Sequence, residues 1–145
     1  MINRVIFIKM TKEEIEDFLN KTRKVHNEFE GYQYNESGSC LNPTIFYEYK
    51  KDDTYIKLEY SKTERGYVTG EWIQTGPSDY CGGVAGCDYN YSIAFDNEKD
   101  AKIHRIDSII GFLEKQIEGK KGIAEAIQYA KEFKMSLLHK QLELF

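Results

Sequence analysis

The chain has 145 residues, 41% hydrophobic and 30% charged, with a formal net charge of -4. This composition predicts one folded domain with a core, and the acidic balance makes direct nucleic-acid binding through a basic surface an unfavourable hypothesis. No apolar run approaches the length of a membrane span and the N-terminus lacks a signal peptide, so we expect a cytoplasmic protein without membrane contact.

The first part of the chain predicts a strand, a helix and a loop. Residues 2–9 contain a continuous apolar run, which is typical of a strand covered on both faces. Thr11 and Glu14 then form the pattern of a capping box, and apolar residues at helical spacing predict a helix over 12–30. Glycine, serine and asparagine mark 31–43 as a loop.

Three strands are predicted next, over 44–50, 54–61 and 67–74, because apolar residues alternate with polar ones along each run. Short polar connections between them are those of antiparallel hairpins. In the first strand the alternation places Ile45 on the same face as Tyr47 and Tyr49.

The remaining elements are a Gly-rich loop over 75–88, a strand over 89–95 and two helices. Asn97 is the expected N-cap of the first helix, and the second is predicted over about 123–138. The order indicates an α+β fold: an antiparallel sheet of about four to five strands with an N-terminal helix and two C-terminal helices. The two C-terminal helices either lie along the sheet or protrude for dimerisation, so a homodimer is one expected assembly.

The last five residues carry the most specific motif. They read Gln-Leu-Glu-Leu-Phe at 141–145. This Q-L-x-L-F pattern resembles the peptide with which many bacterial and phage proteins dock onto the DNA sliding clamp. The resemblance implies a clamp-binding tail over 139–145 behind a domain over 1–138. It also implies that the partner-binding residues are Gln141, Leu142, Leu144 and Phe145.

A second interpretation of the tail stays open. If the last helix continues to the end of the chain, Leu138, Leu142 and Phe145 share one helical face at spacings of four and three residues. The tail would then be core packing and would have no partner.

The Gly-rich loop is the first candidate for a site in the body, because long irregular loops are often functional. Tyr80, Cys81 and Cys87 are its candidate contact residues. No P-loop pattern is present, and the cysteine spacing does not match a zinc site. We therefore expect free cysteines, no metal and no cofactor. A Cys81 nucleophile paired with His104 is the weakest alternative, since no third, orienting group is evident.

Tyrosines on the predicted strands are the second candidate surface, with Tyr55 and Tyr67 as its representatives. Such aromatics pack strands, recognise proteins or stack nucleobases.

Glu48, Glu59 and Glu71 lie on neighbouring strands and could form a metal-binding acid cluster, but a solvated sheet face is the favoured interpretation.

Three functional hypotheses follow. The first is a non-enzymatic phage or mobile-element protein that docks on the sliding clamp. The second is a small antagonist of a host nuclease or defence complex, acting through the Tyr-rich sheet or the Gly-rich loop. The third is a small nuclease or thiol hydrolase, which the absence of a recognisable catalytic motif disfavours.

Overall fold

A computed structural model describes residues 10–52, 54–75, 86–116 and 122–143, with side chains described as far as residue 139. The predicted strand over 2–9 lies outside the described residues, as do Tyr80, Cys81, Leu144 and Phe145. The elements in chain order are α1 (Lys12–Arg23), β1 (Asn27–Phe29), β2 (Tyr32–Tyr34), β3 (Thr44–Lys51), β4 (Thr54–Thr63), β5 (Gly66–Thr75), α2 (Glu98–Lys115) and α3 (Ile123–Glu143).

These elements form an α+β fold, as predicted. The described strands do not make one sheet, however. β1 and β2 form a two-stranded antiparallel hairpin, and β3, β4 and β5 form a separate antiparallel sheet with β4 in the centre.

Helix α1 begins as predicted but ends early. The Thr11 hydroxyl oxygen accepts a hydrogen bond from the backbone N–H of Glu14 at 3.2 Å, which satisfies a free amide of the first turn. The predicted extension to residue 30 is wrong, because the helix stops at Arg23 and 27–29 form β1. Glu30 and Gly31 both have positive φ, 47° and 90°. Two consecutive residues with positive φ are typical of a tight hairpin turn. The chain therefore forms the β1–β2 hairpin here, and the helix does not continue.

The three-stranded sheet agrees with the predicted strands, apart from one irregularity. A bulge lies between Ile45 and Tyr47 in β3, and it places Ile45 opposite Glu59 and Tyr47 opposite Leu58. The extra residue moves Ile45 to the other face, where 51% of it is exposed. The prediction that Ile45 shares a face with Tyr47 is therefore wrong, and Phe46 packs against the core in its place.

The main core lies between one face of this sheet and helices α2 and α3. Its fully or almost fully buried members from the sheet are Tyr47, Tyr49, Ile56, Leu58 and Ile73. Its helical members are Ile106, Ile109, Ile110, Leu113, Ile123, Ala126, Ile127 and Ala130. The C-terminal helices therefore lie along the sheet, where their apolar stripes are buried against its strands.

The predicted strand over 89–95 is wrong. Residues 89–91 form a turn, and only isolated bridges involve Asp88 and Phe95. The Asp88 carboxylate accepts hydrogen bonds from the backbone N–H groups of Asn90 and Tyr91, at 2.8 and 2.7 Å. Arg65 donates to the carbonyl of Tyr89 at 2.7 Å. These side-chain bonds satisfy backbone groups that a strand would pair with a neighbour, so the alternation of aromatics does not produce a strand here.

The two C-terminal helices follow the predicted pattern. The Asn97 side chain accepts a hydrogen bond from the backbone N–H of Asp100 at 2.8 Å, which confirms it as the N-cap of α2. Helix α3 begins at Ile123, as predicted, but continues beyond residue 138 to Glu143.

Candidate functional site

The described residues cover one end of the sheet face that points away from α2 and α3. There the hairpin packs on β4: the Tyr34 hydroxyl is 2.9 Å from Ser61 Oγ and 2.6 Å from the carbonyl oxygen of Lys62. Tyr34, Ser61 and Cys87 are all fully buried. The other end of the same face carries a cleft of about 690 Å³ lined by Lys50, Asp52, Thr54, Tyr55, Lys57, Trp72 and Gln74. The strand side chains at this end of the face, together with the cleft, are called the open sheet face below.

The strand register arranges the open sheet face as two rows of three side chains. Lys50, Tyr55 and Gln74 are opposite one another in the first row. Glu48, Lys57 and Trp72 form the second. Residues directly opposite in antiparallel strands have Cβ atoms about 5 Å apart, so each aromatic ring has a long polar or charged neighbour within reach.

The open sheet face is mixed in charge. Lys50 and Lys57 are balanced by Glu48 and Asp52, so the surface has no excess of positive charge. Burial raises the pKa of the Tyr55 hydroxyl, and the nearby Glu48 carboxylate, 3.5 Å from it, raises that pKa further. Tyr55 therefore stays neutral at physiological pH and can donate or accept hydrogen bonds. Such a surface suits contact with polar protein groups better than with a polyanion.

The two representative tyrosines do not share a face. Tyr55 is opposite Gln74 on the open sheet face, whereas Tyr67 is opposite Lys62 on the face that carries the helices. Tyr67 lies beneath the Lys62 ammonium group, which is 5.1 Å from the ring centroid, and beside the ring of Tyr60. The tyrosines of the sheet therefore belong to two separate surfaces. Tyr55 lines the cleft of the open sheet face, and Tyr67 lies on the opposite face.

Cys87 is a poor candidate for nucleophilic chemistry. Its side chain is completely buried, and burial raises its pKa, with the charge of Glu59 adding to the effect. Burial likewise raises the pKa of Cys40, whose backbone N–H donates to the carbonyl of Cys87 at 2.9 Å. A thiol acts as a nucleophile only as thiolate, so these two thiols are structural in character. Cys40 and Cys87 are free cysteines.

The three glutamates that could have formed an acid cluster are divided between the two faces. Glu48 and Glu59 point to the face that carries the cleft, because they are opposite Lys57 and Ile45. Glu71 is on the helical side, where Arg105 binds it. Among the described residues no group of three or more His, Cys, Asp or Glu side chains could hold a metal ion. His104 packs against the ring of Phe95, with centroids 4.9 Å apart.

The side chains of α3 are described as far as residue 139, and those that are buried lie in the first half of the helix, at Ile123, Ala126, Ile127 and Ala130. Phe133 is the last of these described side chains that packs against the core, and no residue from 131 to 139 is buried. The helical backbone nevertheless continues to Glu143, so Gln141 and Leu142 belong to a helix whose side chains are not described. Leu144 and Phe145 lie outside the described residues.

Gln74 is one of the residues lining the open sheet face that the sequence analysis does not single out. The signal for it was present, since it lies two residues after Trp72 and strand side chains alternate between faces. What was missing was the register that brings it opposite Tyr55.

Within the part of the chain that the structure covers, no helix is both long and apolar enough to span a membrane. No protein-family model, curated protein or solved structure matches this chain. The assignment of the candidate surfaces therefore rests on the contacts and chemistry of this chain's own residues.

Proposed function

We propose that this chain is a non-enzymatic interaction protein, encoded by a phage or mobile element, that docks on the bacterial DNA sliding clamp in the cytosol of the host. Gln141, Leu142, Leu144 and Phe145 are the binding residues. The observation that carries the proposal is the Q-L-x-L-F pattern at the end of α3, in which Phe133 is the last of the described side chains that packs against the core.

The position of the motif supports its use as a tail. A helix rises about 1.5 Å per residue, so Gln141 begins about 12 Å beyond Phe133 along the axis of α3. A peptide that binds through a few large anchors must leave its own domain without disturbing the core. Among the side chains described in α3, Ala130 is the last buried one, so the peptide can be engaged while these core contacts stay in place.

Docking in an extended form requires the end of α3 to unwind. The last four carbonyl groups of a helix lack intrahelical partners, so the terminal turn is held by fewer hydrogen bonds than the interior. Unwinding residues 141–143 therefore costs little hydrogen bonding, and burial of Leu142, Leu144 and Phe145 in a preformed apolar pocket would offset the lost entropy.

Calorimetry with purified clamp tests this proposal. The intact protein should bind, and deletion of 141–145 should abolish binding. Phe145→Ala should weaken the affinity by about 30-fold or more, since truncation of an interface anchor typically costs about 2 kcal/mol. Glu143→Ala is the matched control, because the motif leaves that position free. Failure of the intact protein to bind the clamp, or unchanged binding after the deletion, rejects the proposal.

The open sheet face favours a second candidate function, that of an antagonist of a host nuclease or defence protein. Tyr and Trp are enriched at the centres of protein interfaces, and Tyr55 and Trp72 line this cleft beside Lys50 and Lys57. Inhibition of the target should then persist after deletion of 141–145 and be lost in Tyr55→Ala. Val25→Ala is a suitable control, because Val25 is an exposed apolar residue outside the cleft. The reverse pattern supports the tail-based function.

A further inference from the structure

The outer surface of the α2–α3 pair carries a second groove, on the side away from the sheet. It has a volume of about 690 Å³ and is lined by Asp107, Ile110, Gly111, Glu114, Lys131, Lys134, Met135 and Leu138. Met135 is 62% exposed in the isolated chain. At Gly111 an added Cβ would meet no atom within 4 Å, so the missing side chain leaves the groove open. Ile110, Met135 and Leu138 make the centre of the groove apolar.

The rims of this groove carry opposite charges on its two sides. The α2 side contributes Asp107 and Glu114, and the α3 side contributes Lys131 and Lys134. One pair is already made across the groove, since Lys134 Nζ is 2.7 Å from Asp107 Oδ1. Within the described part of the chain, the side chains of Glu114 and Lys131 make no ion pair or hydrogen bond.

We infer that this groove binds the same groove of a second copy, so that the protein is a two-fold symmetric dimer. A two-fold axis running along the groove places α2 of each copy against α3 of the other. The acidic rim of one copy then faces the basic rim of the other twice, and Met135 and Leu138 of both copies meet at the centre. The surface is thus complementary to itself, which is the requirement of a two-fold interface.

The same rim charges disfavour the alternative two-fold arrangement. An axis perpendicular to the helices would place α2 against α2 and α3 against α3, and would bring like charges together. Like-charge contacts across an interface suppress that arrangement. The charge pattern therefore selects one relative orientation of the two copies.

Charge reversal in the full chain tests the dimer by sedimentation over a range of concentrations. The wild type should approach twice the monomer mass of 17.0 kDa. Glu114→Lys and Lys131→Glu should each weaken the dimer by about tenfold or more, since both contacts between Glu114 of one copy and Lys131 of the other become repulsive. An equimolar mixture of the two variants should dimerise again, because each copy then supplies the charge that the other lacks.

Two further variants keep the outcome clear. Met135→Asp should give a folded monomer, because burial of an unpaired carboxylate opposes association. Glu132→Lys makes the same charge change as Glu114→Lys on the part of α3 that faces another groove, beside Tyr49 and Tyr129, and should leave the dimer unchanged. A wild type that stays monomeric at every concentration overturns the inference. So does a dimer that neither rim variant weakens, or one that the mixture fails to restore.

Discussion

Arg105 on α2 binds Glu71 on β5 through a partly buried ion pair, with Nη1 and Oε1 2.5 Å apart and each side chain only 16% exposed. Arg105 also donates to Thr69 Oγ1 at 2.9 Å. The pair fixes where α2 crosses the sheet, because the guanidinium group contacts two positions of one strand.

Removing one partner of this pair should destabilise the fold strongly. Arg105→Met leaves the Glu71 carboxylate without its cation, and loss of one partner of a buried pair costs about 3 kcal/mol or more. Urea unfolding followed by circular dichroism measures the loss. The double variant Arg105→Met/Glu71→Leu should recover much of the stability, because it leaves no unpaired charge. A double variant no more stable than Arg105→Met would contradict this account.

Two buried tyrosine hydroxyl groups should respond in opposite ways to the same substitution. Tyr34 hydrogen-bonds with Ser61 and Lys62, whereas the buried hydroxyl of Tyr47 has no partner among the described residues. Tyr34→Phe should therefore lower the free energy of unfolding by about 1 kcal/mol or more, and Tyr47→Phe should leave it unchanged or raise it. The two variants are matched controls for each other in urea unfolding. Equal losses in both would show that the hydrogen bonds do not account for the difference.

Stability should fall at alkaline pH. Burial, followed by the charge of Glu98, raises the pKa of Tyr60 to about 12, and burial raises the pKa values of Tyr34 and Tyr47 as well. A tyrosine whose pKa is higher in the folded state contributes stability that is complete below its unfolded pKa of about 10 and is lost as pH rises through the folded value.

Urea unfolding from neutral pH to about pH 12 should show this decline, and absorbance of tyrosinate should rise together with the loss of structure. Tyr60→Phe should make the decline shallower, because the substitution removes one group that titrates. A stability that stays constant through this range would be inconsistent with the raised pKa values.

Gly66 should be intolerant of any side chain. Its φ is +129°, and an added Cβ would lie 2.4 Å from the carbonyl oxygen of Phe95. That close approach accompanies the paired hydrogen bonds between Tyr67 and Phe95, at 2.8 and 2.9 Å. Gly66→Ala should therefore destabilise the protein by about 2 kcal/mol or more, since both the backbone conformation and the contact become strained.

Gly31→Ala is the control for this substitution, because Gly31 also has positive φ, +90°, but has no atom within 4 Å of the added Cβ. Its loss of stability in thermal unfolding should be distinctly smaller. Equal losses would assign the whole effect to backbone conformation and none to Phe95.

Local sequence determined the features that depend on neighbouring residues. Thr11 and Asn97 cap helices because a short hydroxyl or amide side chain reaches the free amides two or three residues later. Alternation along β4 separated Ile56 and Leu58 from Tyr55 and Lys57, because successive strand side chains point to opposite faces. The tail motif at 141–145 is equally local.

Only the tertiary structure decided the features that depend on distant partners. Val25 and Phe29 fit the helical spacing of α1, but pairing with β2 made 27–29 a strand. The alternating aromatics of 89–95 predicted a strand, but Asp88 and Arg65 satisfied the backbone groups in a turn. The open sheet face has the same origin, because the β1–β2 hairpin covers one end of the sheet and the strand register places Trp72 and Gln74 at the other. Each outcome is set by hydrogen bonds and packing with residues outside the segment itself, so the spacing of residues within that segment does not predict it.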